Sequence, residues 1–185
     1  MLYDKDIREP LFDYLEETFG KIRVIDEKQL GRKTRADMFM VTEEEFIGIE
    51  IKSDADTYSR LARQVTGYDA YCDRNYIVVG SRHEKHVEEH VPDYWGIILV
   101  EQKKNEVLLR EIRPSRSNPK WKPERQLSLL WRNELDHILK KNKLPKYQQK
   151  SRAYIIERML KKMDYKVLKQ QICYELFERD YTLMV

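Results

Sequence analysis

A chain of 185 residues, 41% apolar and 11% aromatic, has the length of one ordinary domain with a small appendage and the side chains to build a core. Its 36% charged residues and mean hydropathy of −0.75 lean towards disorder, but twelve Tyr and three Trp, spread throughout, exclude a disordered polymer. No apolar run approaches the roughly 18 residues of a membrane span, and the start, Met1-Leu-Tyr-Asp-Lys-Asp6, lacks the apolar run of a signal peptide. The expectation is a cytoplasmic protein without a membrane partner. Cys72 and Cys173 lie far apart and read as reduced, packed thiols rather than a disulfide or a metal pair.

Ile7, Leu11, Leu15 and Phe19 recur every fourth residue before Gly20, which predicts an amphipathic helix with a glycine stop, Pro10 being tolerable only near its first turn. Extended runs follow near residues 22 to 26, 35 to 41 and 45 to 52, the last two separated by the short polar turn Thr42-Glu-Glu-Glu45, as in a hairpin. Leu61, Val65, Tyr68 and Cys72 are in phase on a helix from Tyr58 to Asp73, and Tyr76-Ile-Val-Val79 reads as a buried strand, giving a strand-helix-strand unit. A short helix is predicted near Glu84 to Val91. Gly96-Ile-Ile-Leu-Val100 and Glu106-Val-Leu-Leu-Arg110 then form a strand pair around the polar turn Gln102 to Asn105.

Arg113-Pro-Ser-Arg-Ser-Asn-Pro-Lys-Trp-Lys-Pro123 holds three prolines and no helix or strand period, and reads as a linker. It divides residues 1–112, an α/β core, from a helical region at 124–185. There, helices are expected near Glu124 to Asn142, Ser151 to Met163 and Tyr165 to Arg179, packed as a small bundle. Residues 1 to 100 carry 14 Lys and Arg against 21 Asp and Glu, whereas residues 101 to 185 carry 21 against 11. A basic half is the usual footprint of phosphate-backbone binding, and an acidic half that handles nucleic acid does so by gathering carboxylates around divalent cations.

The chemistry sits in the hairpin. Alternation along its second strand puts Phe46, Gly48, Glu50 and Lys52 on one face and Ile47, Ile49 and Ile51 on the other, the isoleucines being core. If the hairpin closes symmetrically about Thr42 to Glu45, residue numbers in each cross-strand pair sum to 87 and Asp37 lies opposite Glu50. Directly opposed Cβ atoms are about 4.5 to 5.5 Å apart, so the two carboxylates can share one divalent ion, which would also relieve their repulsion. Lys52 points into the same space, where an ammonium can orient a water for attack and help neutralise a pentacovalent phosphate.

Arg35-Ala-Asp37, Ile49-Glu-Ile-Lys52-Ser53 and the following helix with Gln64-Val-x-x-Tyr68 resemble the PD-(D/E)XK nuclease pattern in order and spacing, over roughly residues 5 to 100. The resemblance is closest to a small bacterial branch similar to MmcB-type DNA-repair proteins, through Glu50-Ile-Lys-Ser-Asp54, Tyr68-Asp-Ala-Tyr-Cys-Asp73 and Tyr76-Ile-Val-Val-Gly80. It implies a restriction-endonuclease-like αβββαβ core, a mixed sheet flanked by helices. It further implies Mg²⁺, or Mn²⁺, held by Asp37, Glu50 and the main-chain carbonyl of Ile51, with Lys52 near the attacking water. Glu9 would be the further acidic group supplied by the opening helix, where Asp6 and Asp13 lie on nearby turns, and Gln64 would hold the water or a phosphate. Tyr68 can serve the site or the core. Ala36 replaces the Pro of the family name, a departure that touches turn geometry more than metal binding.

Two other groups are weaker. His83-Glu-Lys-His86-Val-Glu-Glu-His90 has helical spacing that could gather imidazoles for zinc, but lacks the order H-E-x-x-H and reads as an exposed helix. Trp95, just before a buried strand, is expected to close the core rather than stack on a base. In the helical region, Leu135 to Tyr147 with Lys150-Ser-Arg152 and Ile155 to Leu160 faintly resembles a SAP-type DNA-binding module. Lys140, Lys141, Lys143, Lys146, Lys150 and Arg152 gather around its loop, where they could grip phosphates. The resulting expectation is a metal-dependent nuclease acting on DNA in repair, recombination or phage-host conflict, RNA and pairing of two copies as a homodimer remaining open. The alternative is a non-catalytic subunit that uses the same fold as a DNA or protein platform.

Overall fold

The structure, a computed structural model, describes residues 2–104 and 106–181. Helix α1 (Asp4–Phe19) leads into β1 (Arg23–Leu30), β2 (Thr34–Val41) and β3 (Phe46–Lys52), then α2 (Leu61–Tyr71) and β4 (Arg74–Gly80). Strands β5 (Gly96–Lys103) and β6 (Glu106–Arg113) complete the sheet, and α3 (Pro123–Leu127), α4 (Arg132–Lys141), α5 (Arg152–Lys162) and α6 (Tyr165–Glu178) follow. The six strands lie in sequence order. β3, β4 and β5 are parallel, and β1, β2 and β6 join antiparallel at the edges, so the sheet is mixed. Helices flank it on both faces, the α/β architecture of a restriction-endonuclease-like core with C-terminal helices.

Every residue of β3 is buried because both faces of this central strand are covered. Ile47, Ile49 and Ile51 join Ile7, Leu11 and Leu15 of α1 in one apolar layer. Phe46 joins Tyr68 of α2 and Cys72 just after it in the other, as the alternation predicts. Gly48 permits that second contact: a Cβ there would stand 2.3 Å from Tyr68 Cδ1 and 2.9 Å from Cys72 Sγ, so any side chain would lift α2 off the sheet.

The second layer runs without a break into the C-terminal helices, since Leu127, Leu135, Ile155, Leu168 and Ile172 belong to the same core as Phe46 and Tyr68. The stretch between β6 and α3 has no regular structure, yet it is tied down. Asn118 is fully buried and donates through Nδ2 to the Asp69 and Cys72 carbonyls at 2.9 and 2.7 Å. Lys122 N–H reaches the Ala70 carbonyl at 3.1 Å. Asp73, at the end of α2, pairs with Lys169 of α6 at 2.5 Å, and Lys169 also donates to Gln126 at 2.7 Å.

Several elements differ from their predicted form. Pro10 is not in the first turn of α1 but is its seventh residue, so the helix lacks the bond to the Asp6 carbonyl and is held instead by its buried leucines. The helix expected over 84–91 is two single 3₁₀ turns, Ser81–His83 and Val87–Glu89. The helix expected over 124–142 breaks between α3 and α4, where Glu134 turns back to accept from Trp131 N–H at 2.6 Å and starts a new helix. The turn expected at Gln102 to Asn105 includes Asn105, which lies outside the described residues, as do residues 182–185 of the helical region. Among the described residues, no helix is long and apolar enough to cross a membrane.

Candidate active site

The β2–β3 hairpin closes on Thr42. Its N–H donates to the Glu45 carbonyl at 3.0 Å, and its Oγ1 accepts from Glu44 and Glu45 N–H at 3.2 and 3.0 Å, which fixes a short turn and hence the register. Val41 pairs with Phe46, Met40 with Ile47, Phe39 with Gly48 and Met38 with Ile49, the pairing expected from a symmetric closure. At Asp37 the ladder continues through a side chain: Ile51 N–H donates to Asp37 Oδ2 at 2.8 Å, which holds the carboxylate against β3 beside Glu50.

On the other side of β2 the ladder opens at the same place. Glu27 has a left-handed backbone (φ 52°), and β1 pairs Asp26 with Met38 and Lys28 with Ala36 but leaves Asp37 unpaired. A non-glycine residue in that region costs about 1 kcal/mol or more. The Asp37 carbonyl is instead satisfied by Arg8 of α1, whose Nη1 donates to it at 3.0 Å. Arg8 also pairs with Asp4 (2.7 Å), Asp26 (2.9 Å) and Glu27 (3.0 Å). Burial works against its charge, but Asp4, Asp26 and Asp37 outweigh this and hold the guanidinium more basic than usual.

Glu50 is fully buried and Lys52 nearly so, and the two side chains form a direct ion pair. Gln64 of α2 donates to Glu50 Oε1 through Nε2 and accepts from Lys52 Nζ at 3.3 Å. Tyr68, one turn on, accepts from Asp37 N–H at 3.0 Å and places its own proton on either Glu50 Oε2 (2.9 Å) or the Ile49 carbonyl (3.0 Å). Asp37, Glu50, Lys52 and Gln64 are thus brought to one spot. Tyr68 is the piece that sequence reasoning left undecided. Its signal was present: position 68 lies one helical turn after Gln64, on the face turned to the sheet.

The site carries two carboxylates against one ammonium. Burial first, and the neighbouring Glu50 second, push the Asp37 carboxyl up to about 7. Burial, then the same two carboxylates, also raise the Tyr68 phenol well above its usual range, so it stays protonated. A carboxyl raised in the folded state binds more protons there than in the unfolded chain. Its contribution therefore costs stability progressively as pH rises from about 4 to 7, and the full cost is present above that. In metal-free protein, Asp37→Asn keeps the Ile51 hydrogen bond and removes this cost. The melting midpoint of the variant should exceed that of wild type at pH 7.5, and the difference should shrink as pH falls and close near pH 4.

Oxygen donors of this kind suit a hard divalent cation. Asp37 Oδ2 accepts from Ile51 N–H, and the carboxyl lies close enough to Glu50 for that charge to act on it. Among the described residues no group of three or more His, Cys, Asp and Glu side chains gathers for a metal, so a cation here would rest on Asp37, Glu50 and main-chain oxygen such as that of Ile51, with water completing its shell.

A family model described as bacteriophage P4 protein cII matches residues 2–182. The chain belongs to that family. None of the curated proteins matches it. Among solved structures it is similar to SPO1766, a protein of unknown function from Silicibacter pomeroyi, at 21% identity and a TM-score of 0.44, over 60% of this chain and 69% of that one. It is also similar to Pyrococcus furiosus SfsA, solved in complex with Ca²⁺, at 14% identity and a TM-score of 0.38, over 60% and 63%.

The remaining predicted residues of this P4 cII family member lie elsewhere. Glu9 is exposed, two positions past the buried Ile7 and so turned about 200° away from the core, and it joins none of the contacts above. The acid of α1 that acts on Asp37 is Asp4, which with Arg8, Leu11 and Leu15 forms one helical stripe. Lys140, Lys141, Lys143, Lys146 and Lys150 are exposed around the α4–α5 loop. Arg152 is exposed as well, but its guanidinium donates to the Ser128 and Leu130 carbonyls at 2.8 and 2.5 Å, where it ties α5 to the α3–α4 break. The histidines do not converge: the rings of His83 and His90 pack on Tyr58 at 4.8 and 4.1 Å, and His86 contacts Glu89. Trp95 is fully buried, its Nε1 bonded to Asp69 at 2.9 Å.

Proposed function

We propose that this chain is a divalent-cation-dependent nuclease that hydrolyses phosphodiester bonds of DNA, as the PD-(D/E)XK resemblance implies. The observation that carries the reading is the convergence of Asp37 and Glu50 with Lys52 and Gln64 at the end of β3 in a largely buried spot, where Tyr68 accepts from the Asp37 main-chain N–H and bonds the Glu50 carboxylate. Asp37, Glu50 and the Ile51 carbonyl would hold Mg²⁺ or Mn²⁺, which supplies Lewis-acid polarisation of the phosphate and a more acidic water. Lys52 offers an ammonium for charge that develops on the phosphate, and Gln64 positions both Lys52 and Glu50. Tyr68 locks Asp37 and Glu50 at a fixed separation. The exposed lysines of the α4–α5 loop add affinity for the backbone without reading sequence.

The test is a cleavage panel of linear, circular, single-stranded and branched DNA, with Mg²⁺, Mn²⁺ or EDTA, for wild type and Glu50→Gln. Cleavage by wild type that needs the metal and disappears in Glu50→Gln is the expected result. A second reading, a non-catalytic DNA or protein platform, is favoured by one observation: Glu50 already receives bonds from Lys52, Gln64 and Tyr68 and is balanced without a cation. No cleavage of any substrate, with no effect of divalent metal on melting, would select it.

A further inference from the structure

Five basic side chains stand exposed beside the site on two elements that the fold forces together. Arg32 and Lys33 occupy the β1–β2 turn and Arg35 the start of β2, while Arg60 and Arg63 lie at the N-terminal end of α2. Arg35 pairs with Glu27 at 2.6 Å. Among the described residues the other four have no acidic partner, in the half of the chain where acids outnumber bases by 21 to 14.

Gly67 brings the two elements together. A Cβ at that position would lie 2.0 Å from Thr34 Oγ1, so α2 rests directly on the start of β2, between Lys33 and Arg35. Arg63 is one turn before Gly67. Arg60 is one turn, about 5.4 Å, before Gln64, which bonds Glu50. Thr34 is three residues, about 10 Å, from Asp37 along β2. Both groups of cations therefore lie within reach of the carboxylates.

We propose that this rim grips the DNA backbone on the strand presented to Asp37 and Glu50, an inference that rests on the nuclease reading and names the surface that positions its substrate. Several spaced guanidinium and ammonium groups match successive phosphates of a polyanion, and arginine forks bind phosphate oxygens in pairs. Among the described residues no large exposed apolar side chain accompanies them, as a membrane surface would require: the exposed ones there are Tyr3, Phe12, Leu108, Val167 and Tyr174.

The test is fluorescence anisotropy of labelled duplex and single-stranded DNA in EDTA, so that cleavage plays no part, over a series of salt concentrations. The full chain is compared with Arg32→Glu/Lys33→Glu, Arg60→Glu/Arg63→Glu and, to measure the share of the other basic surface, Lys140→Glu/Lys143→Glu. Each rim variant should weaken binding at least tenfold and flatten the slope of log K against log salt by about 2, at about 0.9 per lost phosphate contact, with an unchanged melting midpoint. Rim variants that bind with wild-type affinity and slope would overturn the proposal, as would a wild type that binds no DNA. Rim-dependent binding without cleavage would sink the nuclease reading alone, and metal-dependent cleavage with rim-independent binding would sink the rim alone.

Discussion

Lys52→Ala is expected to lower metal-dependent DNA cleavage by at least about 100-fold, the scale seen when one positioned group that stabilises developing charge is removed. The Lys52 side chain is buried, and it bonds both Glu50 and Gln64. The variant should still fold, because Glu50 keeps its bonds from Gln64 and Tyr68. It should also be less stable without metal, since two carboxylates then share a buried site with no counter-charge, and added Mg²⁺ should restore more stability to it than to wild type. Cleavage by Lys52→Ala at the wild-type rate would remove Lys52 from the chemistry.

The second large effect concerns stability. Arg179→Ala should destabilise the protein by about 3 to 5 kcal/mol, because it leaves Glu134 buried and unpaired. Arg179 is 4% exposed; it bonds Glu134 through Nε at 2.6 Å and Nη2 at 2.5 Å, donates to the Leu129 carbonyl at 3.0 Å, and lies over the Trp131 ring at 4.1 Å. For a chain of this size the loss corresponds to a fall in melting midpoint on the order of 10 °C. Glu134→Gln in the same chain should recover part of it by removing the stranded charge. A fall of less than about 2 °C would mean that the C-terminal helices do not depend on this pair. The same packing bears on how the basic half is tested. Deleting residues after 113 would strip Leu127, Leu135, Ile155 and Ile172 from the layer that holds Tyr68, so charge there is better changed one side chain at a time.

The parts of this molecule that a local pattern encodes were legible. The period-two alternation of β3 separates the isoleucines from Phe46 and Glu50, and a four-residue polar turn capped by Thr42 leaves only one register for the hairpin, so the placement of Asp37 beside Glu50 followed from residue numbers. The parts set by distant contacts were not. Nothing in the sequence near Glu27 announces its left-handed backbone, which depends on Arg8 from a different element taking the Asp37 carbonyl. Glu9 and Asp4 are both acids of one helix, and only the rotation of α1 on the sheet separates them, with Asp4 turned to the site and Glu9 to solvent. Arg152 carries the same charge as the neighbouring lysines, but its guanidinium is bonded to two carbonyls at the α3–α4 break. That break is a tertiary effect as well, since Glu134 serves both Trp131 and Arg179.

The most direct test of the central claim is a calorimetric titration of metal-free protein with Mn²⁺ at pH 7.5, for wild type and Asp37→Asn. One cation bound by wild type, with proton release on binding and at least tenfold weaker affinity in the variant, is the expected result. Equal Mn²⁺ binding by the two proteins, or none by wild type, would contradict the placement of a cation between Asp37 and Glu50.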